Sequence, residues 1–594
     1  ADGHAFEGRL KEVAGDLAVL GPNCYGLINL MEGVALWPDE HGARRVERGV
    51  ALITQSGNIG ITLTMQARAL PIACVVSVGN QALLRVHDVI EAMADDPRVG
   101  AIGLYLEAIP DLAAFARAAL ICAEKRIPLV AIKAGSSAVG ARTALSHTSS
   151  LSGQDALVDA YLRRYGVVRV RSLADLLETL KLLFVLGPLP GRSIASLSCS
   201  GGDAAMVADL AAPLDLELPP IPPSAHQRLA DILGPRVEIA NPLDYHTYIW
   251  GDGARMHRCF GAVAAAGFDA TLLILDYPRG ETNDIRPWEL AADAFIGAVR
   301  DVGARGVIVS SLPETLPSAA AERIAAAGLA PMQGLPGCLR ALAAAGWLAG
   351  AWRQIGERPP PPLSAPLEVG HPGEPVLLAE GEAKRLLAGH GIPVARGRTV
   401  EIAKAALEAE RIGLPVVLKT AARIAHKTEV GGVILGLTTP TAVQEAADAL
   451  ATLGERVRVE VMLPKPLVEL IVGIDVDPQF GPHLVIGAGG QLVELWQDTR
   501  VLLLPADPDE IRSALGDLRV APVLLGYRGR PPADVEAVVE VICRLGAFAL
   551  QERQRLLEVD INPLMVYPAP EGVIAADALI RLTEQLERRE ATED

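Results

Sequence analysis

Gly49-Val50-Ala51-Leu52-Ile53-Thr54 is a short apolar run, and Gln55-Ser56-Gly57-Asn58 breaks it before a helical pattern begins. A strand that turns on Ser-Gly into a helix is the opening of a β-α unit. The rhythm repeats outward. Ala73–Val78, Val99–Tyr105 and Ile127–Lys133 read as further strands with amphipathic segments between them, ending near Gly187. Such alternation predicts a parallel sheet with crossover helices. A second unit opens at Ser193-Ile194-Ala195-Ser196-Leu197-Ser198, continues through Ala270–Leu275 and Gly306–Ser311, and fades near Ala351.

Pro359, Pro360, Pro361 and Pro362 follow Glu357-Arg358, and no helix or central strand holds four consecutive prolines. The stretch 357–375 therefore reads as a stiff extended linker. Beyond it, Leu377–His390 reads as an amphipathic helix. Pro415–Lys419, Gly432–Leu435, Val457–Met462, Val468–Val472 and His483–Ile486 read as strands of an α+β region that runs to about Leu582. The charged tail Glu584–Asp594 is expected to fray.

Composition agrees with a multidomain α/β chain. At 594 residues it is too long for one core. Half of the residues are hydrophobic and only 4% aromatic, so the cores should be built from Ala, Leu and Val. A net charge of −17 argues against a general binder of nucleic acid or anionic membrane, while leaving room for local phosphate sites. Seven scattered cysteines without a Cys-x-x-Cys pair suggest a reducing compartment, neither a disulfide framework nor a zinc site. With no signal peptide and no apolar run long enough to span a bilayer, the expected location is the cytoplasm.

Three features carry chemistry in the first two units. Ser146-His147-Thr148-Ser149-Ser150-Leu151-Ser152-Gly153 puts a histidine among small hydroxyl residues. Ser56-Gly57-Asn58-Ile59-Gly60 and Ser198-Cys199-Ser200-Gly201-Gly202-Asp203 each join a strand to a helix, where backbone N–H groups and the positive helix end favour phosphate. Each turn alone also reads as a tight packing turn. Together with the loop histidine they suggest a phosphorylated imidazole between helix ends.

On these residues the chain resembles the NDP-forming acyl-CoA synthetases, relatives of succinyl-CoA synthetase, in the form with both subunits fused. Ser146–Gly153 is similar to that family's phosphohistidine loop, with Ser149 and Ser152 as small departures. The resemblance implies that His147 carries the phosphoryl group. It implies that Glu107, ending Gly103-Leu104-Tyr105-Leu106-Glu107, holds the ring, and that Ser56, Gly57, Asn58, Ser200, Gly201 and Gly202 face phosphate. After the linker, Leu414-Pro415-Val416-Val417-Leu418-Lys419 and His426-Lys427-Thr428-Glu429-Val430-Gly431-Gly432-Val433 resemble the strand lysine and closing loop of an ATP-grasp fold. Lys419, Lys427, Glu460, Met462 and Glu469 are then the ATP contacts. Asn562 in Glu558-Val559-Asp560-Ile561-Asn562-Pro563-Leu564 and Asp577 in Ala575-Ala576-Asp577 are the Mg²⁺ ligands, hard oxygen donors of the kind that ion prefers. His426 stands where some fused relatives relay phosphate, though a loop histidine that merely touches phosphate fits equally.

The resemblance implies five regions: 1–48, the end of a CoA-binding Rossmann domain; 49–187 and 188–356, two flavodoxin-like domains; 357–375, the linker; and 376–594, the ATP-grasp domain. Leu20-Gly21-Pro22-Asn23-Cys24-Tyr25-Gly26 resembles the end of the CoA domain, so Asn23 and Cys24 are its CoA contacts. Its glycine-rich turn is not in this sequence. The expectation is that an upstream segment or a partner polypeptide supplies it, and that without it acyl-CoA forms poorly. The implied reaction joins a carboxylic acid to coenzyme A with ATP and Mg²⁺, releasing ADP and phosphate. Acetate-like acids are the common substrate. The aromatics of Asn241–Trp250 and of Leu36-Trp37-Pro38 would suit an aromatic acid such as ferulate, or are simple packing. The rivals are a regulatory or protein-acetylating relative, for which no acetyltransferase follows Asp577, and an inactive fragment. Small molecules are the expected partners, without nucleic acid or membrane, and a homo-oligomer is compatible with the sequence.

Overall fold

A computed structural model describes residues 3–136, 155–280, 282–363, 373–424, 427–490 and 498–583. The loop Ser146–Gly153 with His147, His426, the middle of the linker and the tail Glu584–Asp594 lie outside the described residues. Contacts divide the chain into two compact units: Ala1–Ser152 with Tyr161–Pro360, and Gly153–Ala160 with Pro361–Asp594.

The first unit holds two sheets. The strands β1 (Gly26–Asn29), β2 (Val34–Leu36), β3 (Gly49–Thr54), β4 (Ile72–Ser77), β5 (Val99–Leu106), β6 (Leu129–Lys133) and β7 (Val168–Arg169) form one sheet in the order β2-β1-β4-β3-β5-β6-β7. All residues of β3, β4 and β6 are buried, as expected of parallel strands covered on both faces. The strands β3 to β7 run parallel, whereas β1 and β2 add an antiparallel edge. The boundary expected at residue 48 is thus no break in the sheet, because the backbone of Gly26–Asn29 pairs directly with Cys74–Ser77.

A second sheet follows from β8 (Ile194–Ser198), β9 (Leu243–Asp244), β10 (Ala270–Ile274), β11 (Gly306–Ser310) and β12 (Ala330–Gln333), in the order β12-β11-β10-β8-β9 and all parallel. Both parallel sheets follow the flavodoxin-like order, in which the connection reverses direction beside the first strand. The helices Leu173–Leu186 and Leu335–Glu357 lie in one continuous core between them, with Leu176, Leu180 and Leu183 against Leu339, Leu342 and Trp352. This aliphatic core is what the composition predicts. It also buries a polar cluster. Lys181 donates to the Arg68 carbonyl (3.0 Å) and to Glu178 (3.1 Å), and Glu178 accepts from the Gln333 N–H (2.9 Å).

The second unit is antiparallel. Its large sheet runs β13 (Pro375–Leu377), β23 (Leu579–Thr583), β21 (Leu556–Val566), β18 (Val468–Asp477), β19 (Gly481–Ala488) and β20 (Thr499–Leu503), with β22 (Val573–Ala575) also on β21. Its small sheet runs β14 (Gly397–Glu401), β17 (Arg456–Val461), β15 (Val416–Thr420) and β16 (Val433–Leu437). The helix expected over Leu377–His390 begins later, at Glu380. Pro375–Leu377 instead pairs with Arg581–Thr583, which takes those residues into the sheet.

Candidate functional site

In the first sheet the turn after β3 and the end of β5 lie side by side at the point where the strand order reverses, the usual ligand crevice of such sheets. Ser56 caps the helix Gly57–Thr64, and its side chain accepts from the Ile59 N–H. Thr54 Oγ1 donates to the Ser56 carbonyl (2.7 Å) and tightens the turn. Gly57 is obligatory, since a Cβ there would lie 1.7 Å from the Tyr25 ring. Glu107 follows β5 directly. Its N–H and that of Ala108 donate to Gln55 Oε1 (2.6 and 2.9 Å), and Gln55 Nε2 donates to the Ala108 carbonyl (2.6 Å). Sequence reading missed Gln55. Its one signal was its place between a strand end and a capping serine.

Asn23 stands at the same carboxyl edge. The Asn80 N–H donates to the Pro22 carbonyl and the Ala82 N–H to the Gly21 carbonyl, while Asn23 Nδ2 donates to Asn80 Oδ1 (3.2 Å). This holds Asn23 and Cys24 against the loop after β4. In the second sheet, Ser200 caps the helix Gly201–Ala211 and accepts from the Asp203 N–H (3.4 Å). Gly201 and Gly202 are exposed. Of the aromatics expected to widen a pocket, Tyr245 is fully buried, Trp250 packs edge-on against Trp288, and Trp37 packs on Tyr25. Tyr248 remains 53% exposed, with the His246 ring stacked on it.

The second unit gathers Lys419, Lys427 and Glu460 into one buried cluster, with the partly exposed Asp577 at its edge. Lys419, at the end of β15, pairs with Glu380 (2.6 Å) and Glu460 (3.2 Å) and donates to the Ala576 carbonyl (2.7 Å). Lys427 pairs with Glu380 (2.8 Å) and Asp577 (3.0 Å). Glu460 also receives Arg458 and Lys384. Four cations, Lys384, Lys419, Lys427 and Arg458, face three anions, Glu380, Glu460 and Asp577. Burial would push the Glu380 carboxyl up, but Lys419, Lys384 and Lys427 hold it well below the ordinary range. Burial alone would lower Lys419, yet Glu380, Asp577 and Glu460 raise it. Both groups are therefore ionised. Alongside lies a cleft of about 910 Å³, lined among others by Glu380, Lys384, Arg396, Thr420 and Arg458.

Glu469 and Asn562 meet at Gly490 rather than in that cluster. The Gly490 N–H donates to Asn562 Oδ1 (3.0 Å), and a Cβ at Gly490 would lie 2.6 Å from Glu469 Oε2. The Met462 N–H is committed to the Pro415 carbonyl (3.1 Å). Ala575 faces Leu564, and the Ala576 N–H donates to the Pro563 carbonyl (3.0 Å). That register, continued, brings Asp577 opposite Asn562. Among the described residues no three His, Cys, Asp or Glu side chains form a metal cage. One carboxylate and one amide oxygen instead suit a Mg²⁺ ion whose other ligands are water and phosphate.

A chain with two flavodoxin-like sheets and a two-sheet unit lined with lysines is the architecture of a nucleotide-dependent ligase. The chain matches the succinyl-CoA ligase-like flavodoxin domain over residues 47–183 and the ATP-grasp domain over residues 373–582. It is 31% identical over 215 residues to the β subunit of ADP-forming acetate–CoA ligase II of Pyrococcus furiosus, covering 91% of that subunit and 34% of this chain. It is 29% identical over 590 residues to a trans-feruloyl-CoA synthase of an unspecified prokaryote, covering 95% of this chain and 81% of that one. Among solved structures, an acetyl-coenzyme A synthetase of Candidatus Korarchaeum cryptofilum in complex with phosphate and ADP superposes with a TM-score of 0.51 at 25% identity, over 59% of this chain and 76% of that one. The chain belongs to the ADP-forming CoA ligases, and it is an enzyme of the acid–thiol ligase class. Among the described residues no helix is long and apolar enough to cross a membrane.

Proposed function

We propose that the protein joins a carboxylic acid to coenzyme A and converts ATP to ADP and phosphate, with His147 as the phosphoryl carrier. The observation that carries this is the cluster around Lys419 and Lys427, in which four cations face three anions. A phosphate chain supplies the missing negative charge. Lys419 and Lys427 would meet the phosphates, while Glu460, Met462 and Glu469 form the wall toward base and ribose. Asn562 and Asp577 would hold Mg²⁺, which neutralises charge on the transferring phosphoryl group.

In the first step the terminal phosphoryl leaves ADP and bonds to a ring nitrogen of His147. Glu107 holds the opposite ring nitrogen and so fixes the tautomer. The Ser56-Gly57-Asn58 and Ser200-Gly201-Gly202 helix starts direct N–H groups at the phosphoryl oxygens. A carboxylate oxygen of the acid then takes the phosphoryl and frees the imidazole. Finally the CoA sulfur attacks the acyl carbon, and phosphate leaves with the bonding electron pair. Asn23 and Cys24 belong to the CoA side, and His426 to a relay between the ATP and acyl centres. The acid is acetate-like or aromatic, ferulate being the aromatic case. The sequence regions given above are its domains, except that Gly26–Leu36 joins the first flavodoxin-like sheet, and a net charge of −17 supports small-molecule partners in the cytoplasm rather than nucleic acid.

The test is incubation with γ-labelled ATP and Mg²⁺. An acid-labile, base-stable label is expected on the parent and absent from His147→Ala. Equal labelling of His147→Ala would overturn the carrier assignment. Release of AMP and diphosphate in the presence of acid and CoA would overturn the reaction.

A further inference from the structure

Lys384 is 1% exposed, and its ammonium meets four oxygens. Its ammonium donates to both Glu460 oxygens (2.6 and 2.8 Å) and to the Ala576 carbonyl (2.7 Å), and it pairs with Glu380 (2.8 Å). Glu380, one turn earlier on the same helix, pairs in addition with Lys419 and Lys427. The Ala576 carbonyl accepts from Lys384 and Lys419 together, and the next residue, Asp577, pairs with Lys427. One helical turn thus touches the strand lysine of the small sheet, the lysine of the loop after β15, and the segment that bears Asp577 on the large sheet.

A buried ion pair of this kind is a poor source of stability compared with apolar side chains of similar volume. The surrounding helix face offers such packing through Ala383 and Leu387, both fully buried. What the charges add is geometry: a short side chain could not hold three ammonium groups and a carbonyl at fixed separations.

We infer that Glu380 and Lys384 are positioning residues, which hold Lys419 and Lys427 in register with Asp577 so that nucleotide phosphates and their divalent cation bind as one unit. The inference rests on the nucleotide reading above. It requires that Mg²⁺ and nucleotide strengthen each other's binding, and that this coupling pass through the pair.

The experiment is calorimetric titration of the full chain with a non-hydrolysable ATP analogue, in excess EDTA and in excess Mg²⁺. In the parent, Mg²⁺ should tighten binding by about 10-fold, within the usual range of such couplings. Lys384→Met combined with Glu380→Gln keeps the net charge of the cluster. Its affinity should fall further with Mg²⁺ than without it, so that the Mg²⁺ enhancement drops to about 2-fold or less. Glu380→Asp, which keeps the charge but shortens the reach, should retain part of the enhancement. A folded double variant with the parental enhancement would overturn the inference, as would equal loss of affinity with and without metal. If the double variant does not fold, Glu380→Asp decides by the same comparison. Failure of both to fold makes the pair a folding requirement and also overturns the inference. A parent that binds no nucleotide under either condition rejects the nucleotide reading instead, a result visible without any variant.

Discussion

The two flavodoxin-like sheets of the first unit are built alike and equipped differently. Thr54 Oγ1 donates to the Ser56 carbonyl (2.7 Å), as Ser198 Oγ does to the Ser200 carbonyl (2.9 Å). The Ile59 N–H donates to Ser56 Oγ (3.5 Å), as the Asp203 N–H does to Ser200 Oγ (3.4 Å). Each turn follows the first parallel strand of its sheet, and each sheet carries an acid just after its third parallel strand, Glu107 and Asp276. The divergence lies in the residue between hydroxyl and cap. Gln55 reaches across and holds the backbone of Glu107 and Ala108, whereas Cys199 is too short to do the same. Asp276 is instead spent on the loop after β11, accepting from the Ser311 N–H (2.8 Å), Ser311 Oγ (2.8 Å) and Thr315 Oγ1. The same local turn therefore serves two ends. In the first sheet the acid is braced through its main chain. In the second the acid is itself the brace.

The largest expected effect tests that contrast directly. Glu107→Gln should lower histidine labelling from ATP by about 100-fold or more, the scale on which a positioned carboxylate contributes. Asp276→Asn should leave labelling within a few-fold, while costing about 1–2 kcal/mol in urea unfolding as its hydrogen bonds weaken. Equal labelling defects in the two variants would erase the distinction.

A smaller effect is expected at the bracing residue. Gln55→Leu leaves the Glu107 and Ala108 N–H groups and the Ala108 carbonyl without their partner, a loss of about 2–4 kcal/mol. Labelling should fall by about 10-fold through misplacement of Glu107. Cys199→Ala, at the corresponding position, should leave both measurements near parental values. A Gln55→Leu variant that is destabilised yet labels normally would reduce Gln55 to packing.

What the sequence showed and what it hid divide along chain separation. The strand–turn–helix starts at Ser56 and Ser200 were legible because capping is local: donor and acceptor lie three residues apart. Lys419 was legible because a lysine ending an apolar strand next to a glycine-bearing loop is a short pattern. Gln55 was not, since its partners lie 52 and 53 residues away. Nor were Glu380, whose contact with Lys419 spans 39 residues, and Lys384, whose contacts with Glu460 and Ala576 span 76 and 192. A local hint existed for that pair. Glu380 and Lys384 share a helix face with Ala383 and Leu387, so charge stood on the side expected to be buried. The edge strands β1 and β2 were hidden for the same reason. The pairing of β1 with β4 is fixed some forty-five residues downstream, β2 joins the sheet only through β1, and short mixed segments carry no period of their own.

The smallest effect concerns charge at the second turn. Asp203, in the first turn of its helix, has its carboxyl pushed up by burial, then by Asp276 and Asp244. Asp244 also crowds the helix start, since its Oδ2 lies 3.3 Å from where a Cβ on Gly201 would stand. An acid whose value is higher in the folded than in the unfolded chain makes the folded state bind more protons. Below the ordinary carboxylate value both states are protonated and no penalty exists. Above the raised value both are ionised and the folded state bears the whole repulsion, so this contribution to stability is lost as pH rises through that interval. Asp203→Asn removes the repulsion without changing shape. Its melting temperature should match the parent near pH 3.5 and exceed it toward pH 7, by about 1–2 °C given how open the site is to screening. The loss of the carboxylate at the helix N-terminus works the other way, because a negative charge there interacts favourably with the helix dipole. A melting gap that shrinks or reverses with rising pH would mean that the dipole outweighs the neighbouring acids. The second helix start would then tolerate a phosphoryl group as readily as the first.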